Sequence, residues 1–292
     1  MYKLFILNFM SIAVVALLLW CVSRSIKTEK QQKLLLICAS LATVLMHYSI
    51  LIYHCFVGTA LEYLHEEPDL LLPIYPCNLV MWIAVLFAFL KDKRSRIAEF
   101  LGDYIFWFGL ISALVGMFAN VDFINNPTLT DFNSTKSILA HCTLLFNILL
   151  LALFGYVKVD LRRNMRSILL SILMMLFTGL YCNLLFAALV SKEAAYDENS
   201  MFLLHSPFDG LEFLTYPVIA LIAIPLYFGL FGTVSAFLVM TFSPQSSRLI
   251  AYSSTLIGII FSLLLRLILQ YPLRRQLVRQ DAMEDMSMGE NK

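Results

Sequence analysis

Charged side chains in this 292-residue chain come in short clusters, separated by apolar runs of roughly 18 to 30 residues, the length a helix needs to cross a bilayer. The runs are Leu4 to Val22, Leu34 to Val57, Leu71 to Leu90, Tyr104 to Val121, Ser137 to Val157, Ser167 to Ser191, Phe213 to Phe242 and Leu249 to Leu265. With no water in hydrocarbon to satisfy backbone groups, and no two-residue alternation for a barrel, the pattern predicts an all-α, multi-pass transmembrane helical bundle of about eight helices. A composition 60% hydrophobic and only 14% charged fits one integral-membrane domain over 1–292 and excludes a soluble core. A polar tail at 280–292 is expected to be disordered.

The loops set the orientation. Arg24, Lys27, Lys30 and Lys33 follow the first run, Lys91, Lys93, Arg94 and Arg96 the third, and Lys158, Arg162, Arg163 and Arg166 the fifth. The alternate loops are poor in basic residues, and one carries Glu62, Glu66, Glu67 and Asp69. The positive-inside rule then puts the N-terminus outside, in a plasma membrane of bacterial type. Eight crossings leave Arg274, Arg275 and Arg279 outside against that rule, so the last run is read as crossing with its direction fixed by the earlier loops. The first run lacks a small-x-small site and is read as retained. The chain shows no basic stretch interleaved with aromatics, which argues against nucleic acid, and no glycine-rich phosphate loop or internal repeat.

Orientation gives each unusual residue a depth. At about 1.5 Å per residue, His54 lies about 5 Å and His47 about 15 Å below the outer boundary, Cys77 about 9 Å, His141 about 6 Å, and Asn183 about 12 Å. Polar groups in hydrocarbon either mark a site or act as single inter-helix hydrogen bonds. His47 and His54, seven apart, share a helix face, which would also suit a haem with His141 as partner, but the spacing is weak and no metal or cofactor is expected. The six cysteines follow no paired spacing; a Cys77–Cys142 disulfide is one alternative, small apolar packing another.

The stretch "LPIYPCN", Leu72 to Asn78, carries the most chemistry. Pro76 suits the first position of a helix, so Cys77 falls in the first turn, where free N–H groups and the helix dipole favour a thiolate and burial opposes it. His141, close in depth on another run, would serve as the base for attack of that sulfur on an ester carbonyl.

These residues resemble the YwaF and transmembrane protein 164 family of multi-pass proteins. Leu72 to Asn78 is similar to its LPLHLCN-type motif, with Tyr75 and Pro76 where the family more often has His and Leu. "FWFGLISALVG" (Phe106 to Gly116), "LAHCTLL" (Leu139 to Leu145) and "NSMFLLHSP" (Asn199 to Pro207) follow in family order, and Asn183 matches the asparagine of the helix before the last of these. The family-like core covers 34–242, and 249–271 forms an extra C-terminal helix. The resemblance implies a phospholipid transacylase with catalytic Cys77 and His141, acting on membrane phospholipids or lysophospholipids. Tyr75, Asn78, Asn183, Asn199, His47 and His54 are the candidate orienting or substrate-binding residues. Two alternatives stand beside it: a lipid ester hydrolase using the same site, and a non-enzymatic transporter or sensor of lipids or small hydrophobes, for which Pro217 and Pro225 in the long seventh run would break a helix.

Overall fold

The computed structural model describes residues 2–119, 132–206, 217–242 and 246–289. Among them are eleven α-helices, two 3-10 turns and no strand. The helices are α1 (Tyr2–Ser25), α2 (Glu29–His47), α3 (Ser49–Val57), α4 (Ala60–Glu66), α5 (Pro76–Phe89), α6 (Arg96–Phe118), α7 (Phe132–Leu153), α8 (Leu161–Leu189), α9 (Lys192–Glu198), α10 (Pro217–Phe242) and α11 (Ser247–Gly289). Six of these are long and apolar enough to cross a membrane, and the pair α2 and α3, bent by 52°, counts as a seventh if it forms one span. The chain is a multi-pass membrane protein.

Two of the eight predicted runs differ from straight spans. The Leu34 to Val57 run breaks at Tyr48, and the Leu71 to Leu90 run is helical only from Pro76 to Phe89. At 1.5 Å per residue that helix is about 21 Å long, short of the roughly 30 Å of hydrocarbon. Residues 120–121 and 213–216, which end the fourth run and begin the seventh, lie outside the described residues. Helix α11 continues to Gly289, beyond residue 280 where polar composition predicts disorder.

Helix starts at the basic end are encoded locally. Thr28 and Gln31 form a reciprocal capping box for α2, Ser95 caps α6 through the Ala98 N–H, and Asp160 caps α8 through the Arg163 N–H. The basic loops meet at that end, with Lys33 donating to the Lys91 carbonyl at 3.2 Å.

Helix α6 is the central post, buried along nearly its whole length. Glycines at 102, 109 and 116, one every seven residues, lay a flat stripe on it. Gly109 is met by Val80 of α5 and Ile148 of α7, Gly102 by Phe87, and Gly116 by the His141 ring. Seven residues along α5 therefore match seven back on α6, and the same holds for α7, so both neighbours run antiparallel to it.

Polar groups lock both ends of the post. Near the basic end the fully buried Asp103 carboxylate accepts from Arg163 Nε and Nη2 at 3.1 and 3.0 Å and from the Ser167 hydroxyl at 2.9 Å, which ties α6 to α8. At the other end the orphan carbonyls of Met117 and Phe118 accept from Asn8 of α1 and from Arg266 of α11. The Arg266 guanidinium also lies 4.6 Å over the Phe5 ring.

Lys93 does the same for the short helix. Its ammonium is 5% exposed and donates to the carbonyls of Phe87, Ala88 and Leu90 at 2.6, 2.8 and 2.9 Å. Burial, and then the charge of Lys33, pull its pKa from 10.5 to about 8, so it remains charged at neutral pH. Lys93→Met leaves three carbonyls without this donor and is expected to cost about 3 kcal/mol, read as a lower melting temperature in detergent, with Lys93→Arg intermediate.

Candidate active site

Tyr75 is the N-cap of α5 in extended conformation, its side chain makes no cap hydrogen bond, and Pro76 opens the helix as its sequence predicts. The N–H groups of Cys77 and Asn78 therefore have no backbone acceptor among the described hydrogen bonds. The thiol also lies 3.5 Å from Asn78 Oδ1. Because Val80 sits against Gly109, Pro76 is level with about residue 113 of α6. The start of α5 is recessed roughly 8 Å below the end of that post at Phe118. A thiol and two N–H groups without a backbone acceptor thus stand at a helix start set back from the end of the central post.

His141 reaches the same region from α7. Its Nδ1 lies 2.7 Å from the Ser137 carbonyl one turn earlier and 3.4 Å from the Ser137 hydroxyl. A carbonyl can only accept, so Nδ1 carries the proton and Nε2 keeps its lone pair. That Nε2 rests on Gly116, where a methyl group would overlap it. The ring is level with Gly116 and Cys77 with about Ser112, a difference of four residues or about 6 Å along the axis. Val80, one turn from Cys77, and Ile148, two turns from His141, meet over the same glycine, so the two helix faces converge. No hydrogen bond joins Cys77 to His141 among the described residues.

A third group joins them. Asn147 donates to the Ser40 hydroxyl at 3.0 Å, and Ser40 donates to the Ala84 carbonyl at 3.3 Å. Seven residues on from Ser40 is His47; seven back from Asn147 is Ala140, and seven back from Ala84 is Cys77. His47 therefore lies within about one helical turn of both. The His47 ring stands edge-on to Tyr48 at 4.9 Å, at the bend between α2 and α3.

The remaining candidates take other places. Asn183 accepts from the Ser200 N–H at 2.8 Å and donates to the Ser200 carbonyl at 3.2 Å. Asn199 accepts from the N–H groups of Leu204 and His205 and donates to the His205 carbonyl. Both amides are committed to holding one loop. That loop is pinned to the motif: the Met201 N–H and Ser200 hydroxyl both donate to the Ile74 carbonyl, and Phe202 packs on Tyr75 at 5.5 Å. Asn199, Met201 and Phe202 have φ of 44°, 54° and 56°, a left-handed run of non-glycine residues that costs of order 1 kcal/mol or more apiece and persists only where neighbours enforce it. His54 lies beyond the bend, stacked on Tyr63 at 4.1 Å and bonded to the Thr59 hydroxyl at 2.8 Å, apart from the other two histidines. Cys77 and Cys142 are both free thiols, and Cys142 donates to the Ser11 carbonyl instead of forming the alternative disulfide.

The best-formed apolar cavity, about 180 Å³ between α1, α7 and α11, is lined by Ile12, Val15, Leu145, Leu149, Tyr252 and Leu256 among others, and by none of the candidate residues. Among the described residues no cluster of His, Cys, Asp or Glu has the form of a metal site. Gly116 was not singled out in the sequence, although its place in the heptad Gly102, Gly109, Gly116 is visible there as a flat helix face.

No curated protein and no solved structure matches the chain. The model of the TMEM164 family matches residues 2–240, from the start of α1 to within two residues of the end of α10, and the chain belongs to that family.

Proposed function

We propose that this protein is a membrane-embedded acyltransferase that moves fatty acyl chains between phospholipids through a thioester on Cys77. The observation that carries the reading is that a first-turn thiol, two backbone N–H groups without a backbone acceptor and an imidazole whose Nε2 is the basic nitrogen lie within about one helical turn of one another on converging helices.

His141 Nε2 takes the thiol proton and the sulfur attacks an ester carbonyl of the donor lipid. The oxyanion forms beside the Cys77 and Asn78 N–H groups, which need no reorganisation to receive it. Collapse expels the glycerol oxygen, which takes the proton from His141 and leaves as a lysophospholipid. A second lysophospholipid then gives its hydroxyl proton to His141, attacks the thioester, and restores the Cys77 thiol. Water in place of that acceptor gives hydrolysis. Thiol and imidazole stand about one helical turn apart along the axis, so the proton transfer requires the two side chains to close that gap as the donor lipid binds. The basic loops gather at the far end from Cys77, which supports reading the site end, and the N-terminus, as the outer side.

Incubating the purified protein in liposomes of phosphatidylcholine is expected to leave a hydroxylamine-sensitive acyl group on Cys77, found by mass spectrometry of the peptide. An unacylated Cys77 in a preparation that transfers acyl chains, or a Cys77→Ala variant as active as wild type, would sink the mechanism.

A further inference from the structure

Helices α1 and α11 both pack on α7 but scarcely on each other. Where they do meet, toward the Phe118 end of the bundle, the Arg266 guanidinium lies over the Phe5 ring. Seven residues further along that seam stand Ile12 and Ile259, and seven beyond those stand Leu19 and Tyr252. These four residues mark the two ends of the apolar cavity of about 180 Å³, with Leu145 and Leu149 of α7 as its floor. The cavity is a slot parallel to the helices, about 10 Å long, with a mean cross-section of about 17 Å². A single alkyl chain, its neighbours packed about 4 Å away on every side, fills such a section, and a fused ring system is too wide for it. The floor is buried, whereas Tyr252 and Leu256 on one rim are exposed, so the slot opens sideways between α1 and α11. Its depth decides what reaches that opening. Ile12 to Leu19 is the middle third of the α1 span Phe5–Ser25, and Tyr252 to Ile259 lies centrally in the α11 span Ser247–Ile268. At least about 7 Å of helix separates either end of the slot from the end of a span, so lipid tails reach it and headgroups do not. Packing in lipid rests on van der Waals contact, and a tail seated here supplies the contacts that α1 and α11 do not make with each other.

We infer that this slot binds one acyl chain of a bilayer lipid, which acts as the wedge joining α1 to α11. The site is separate from Cys77, and the inference does not depend on the transferase reading. The full chain is reconstituted in phosphatidylcholine liposomes in which a trace of the lipid carries a photoactivatable diazirine at the end of one chain or, separately, beside the ester of that chain. Labelled residues are then located by mass spectrometry. The chain-end probe is expected to label residues 12–19 and 252–259 about tenfold more than Leu173 and Phe177, which are exposed at the middle of the α8 span. A tenfold excess corresponds to about 1.4 kcal/mol of preference for the slot over ordinary boundary lipid. The ester-side probe is expected to label the same segments no more than α8. Ala16 lines the slot, and Ala16→Phe and the smaller Ala16→Leu put side-chain carbon into it. Both are expected to remove the excess at 252–259, leave α8 labelling unchanged, and lose most of the rise in melting temperature that wild type gains when phosphatidylcholine is added in detergent. The wild-type contrast between the two probes decides the matter even where a variant melts early. Slot segments labelled no more than α8 would mean boundary lipid only and would overturn the site, as would an excess that survives in both folded Ala16 variants. A photoactivatable sterol that labels these residues as strongly as the phospholipid would overturn the single-chain occupant. So would cross-linking of residues 12–19 to a second copy of the chain with loss of lipid labelling as protein density rises.

Discussion

Replacing His141 by asparagine is expected to lower acyl transfer about 10³-fold while leaving the bundle folded, within the range a general base contributes. Asparagine is the chosen probe because its side-chain N–H₂ can take over the Nδ1 donation to the Ser137 carbonyl, 2.7 Å in the native chain, while nothing replaces Nε2. A variant that keeps the anchor and loses the base separates chemistry from packing. If the imidazole only filled space beside Gly116, His141→Asn would change the melting temperature and spare the rate. Transfer between labelled phosphatidylcholine and lysophospholipid, measured beside thermal unfolding, distinguishes these outcomes. In the combined Cys77→Ala, His141→Asn protein the losses are expected not to add, because thiol and base act in one step.

The membrane architecture was legible because two physical demands write themselves into sequence: apolar length for each crossing, and basic residues at one end. The start of α5 was legible for a local reason, since Pro76 suits the first position of a helix. The bend at Tyr48 was not, because neither proline nor glycine marks it. A partner comes from elsewhere in the chain: the Tyr48 ring packs against Trp82 with centroids 6.1 Å apart. What holds the apolar residues before Pro76 outside that helix was hidden in the same way, since Ser200 and Met201, far along the chain, bond the Ile74 carbonyl.

Within the site, sequence supplied residue types and depths but not partners. It offered Asn183 and Asn199 as possible oxyanion donors, and only the folded chain shows their amides taken up by backbone groups. The unpaired N–H groups of Cys77 and Asn78 are better placed to meet an oxyanion. That His47, Cys77 and His141 fall within about one helical turn of one another depends on three inter-helix contacts, Ser40 with Ala84, Ser40 with Asn147, and Gly116 with His141. Helix rotation and neighbour choice set those contacts, and a single chain's periodicity leaves both open.

Gly116 shows what such a contact is worth. A Cβ built there overlaps Nε2 and Cδ2 of His141 and comes within 2.8 Å of Cε1. The ring cannot retreat along its own axis while Nδ1 holds the Ser137 carbonyl, so it must swing to another rotamer and surrender that bond. Gly116→Ala is therefore expected to reduce transfer about 10²-fold, and Gly116→Val to approach the His141→Asn level. Stability should move much less for the alanine, because removing a mid-helix glycine gains roughly 0.5 to 1 kcal/mol against the clash. A rate loss without matching destabilisation is the signature of a displaced base. Gly58→Ala is the control: its φ of 76° strains any side chain but nothing lies within 4 Å of the added carbon, so it is expected to lower the melting temperature and leave transfer unchanged. Adding Gly116→Ala to His141→Asn should cost little beyond His141→Asn alone, since the smaller amide has no Nε2 for the methyl to strike. Equal losses from Gly116→Ala in both backgrounds would show instead that the glycine acts on the helix and not on the imidazole.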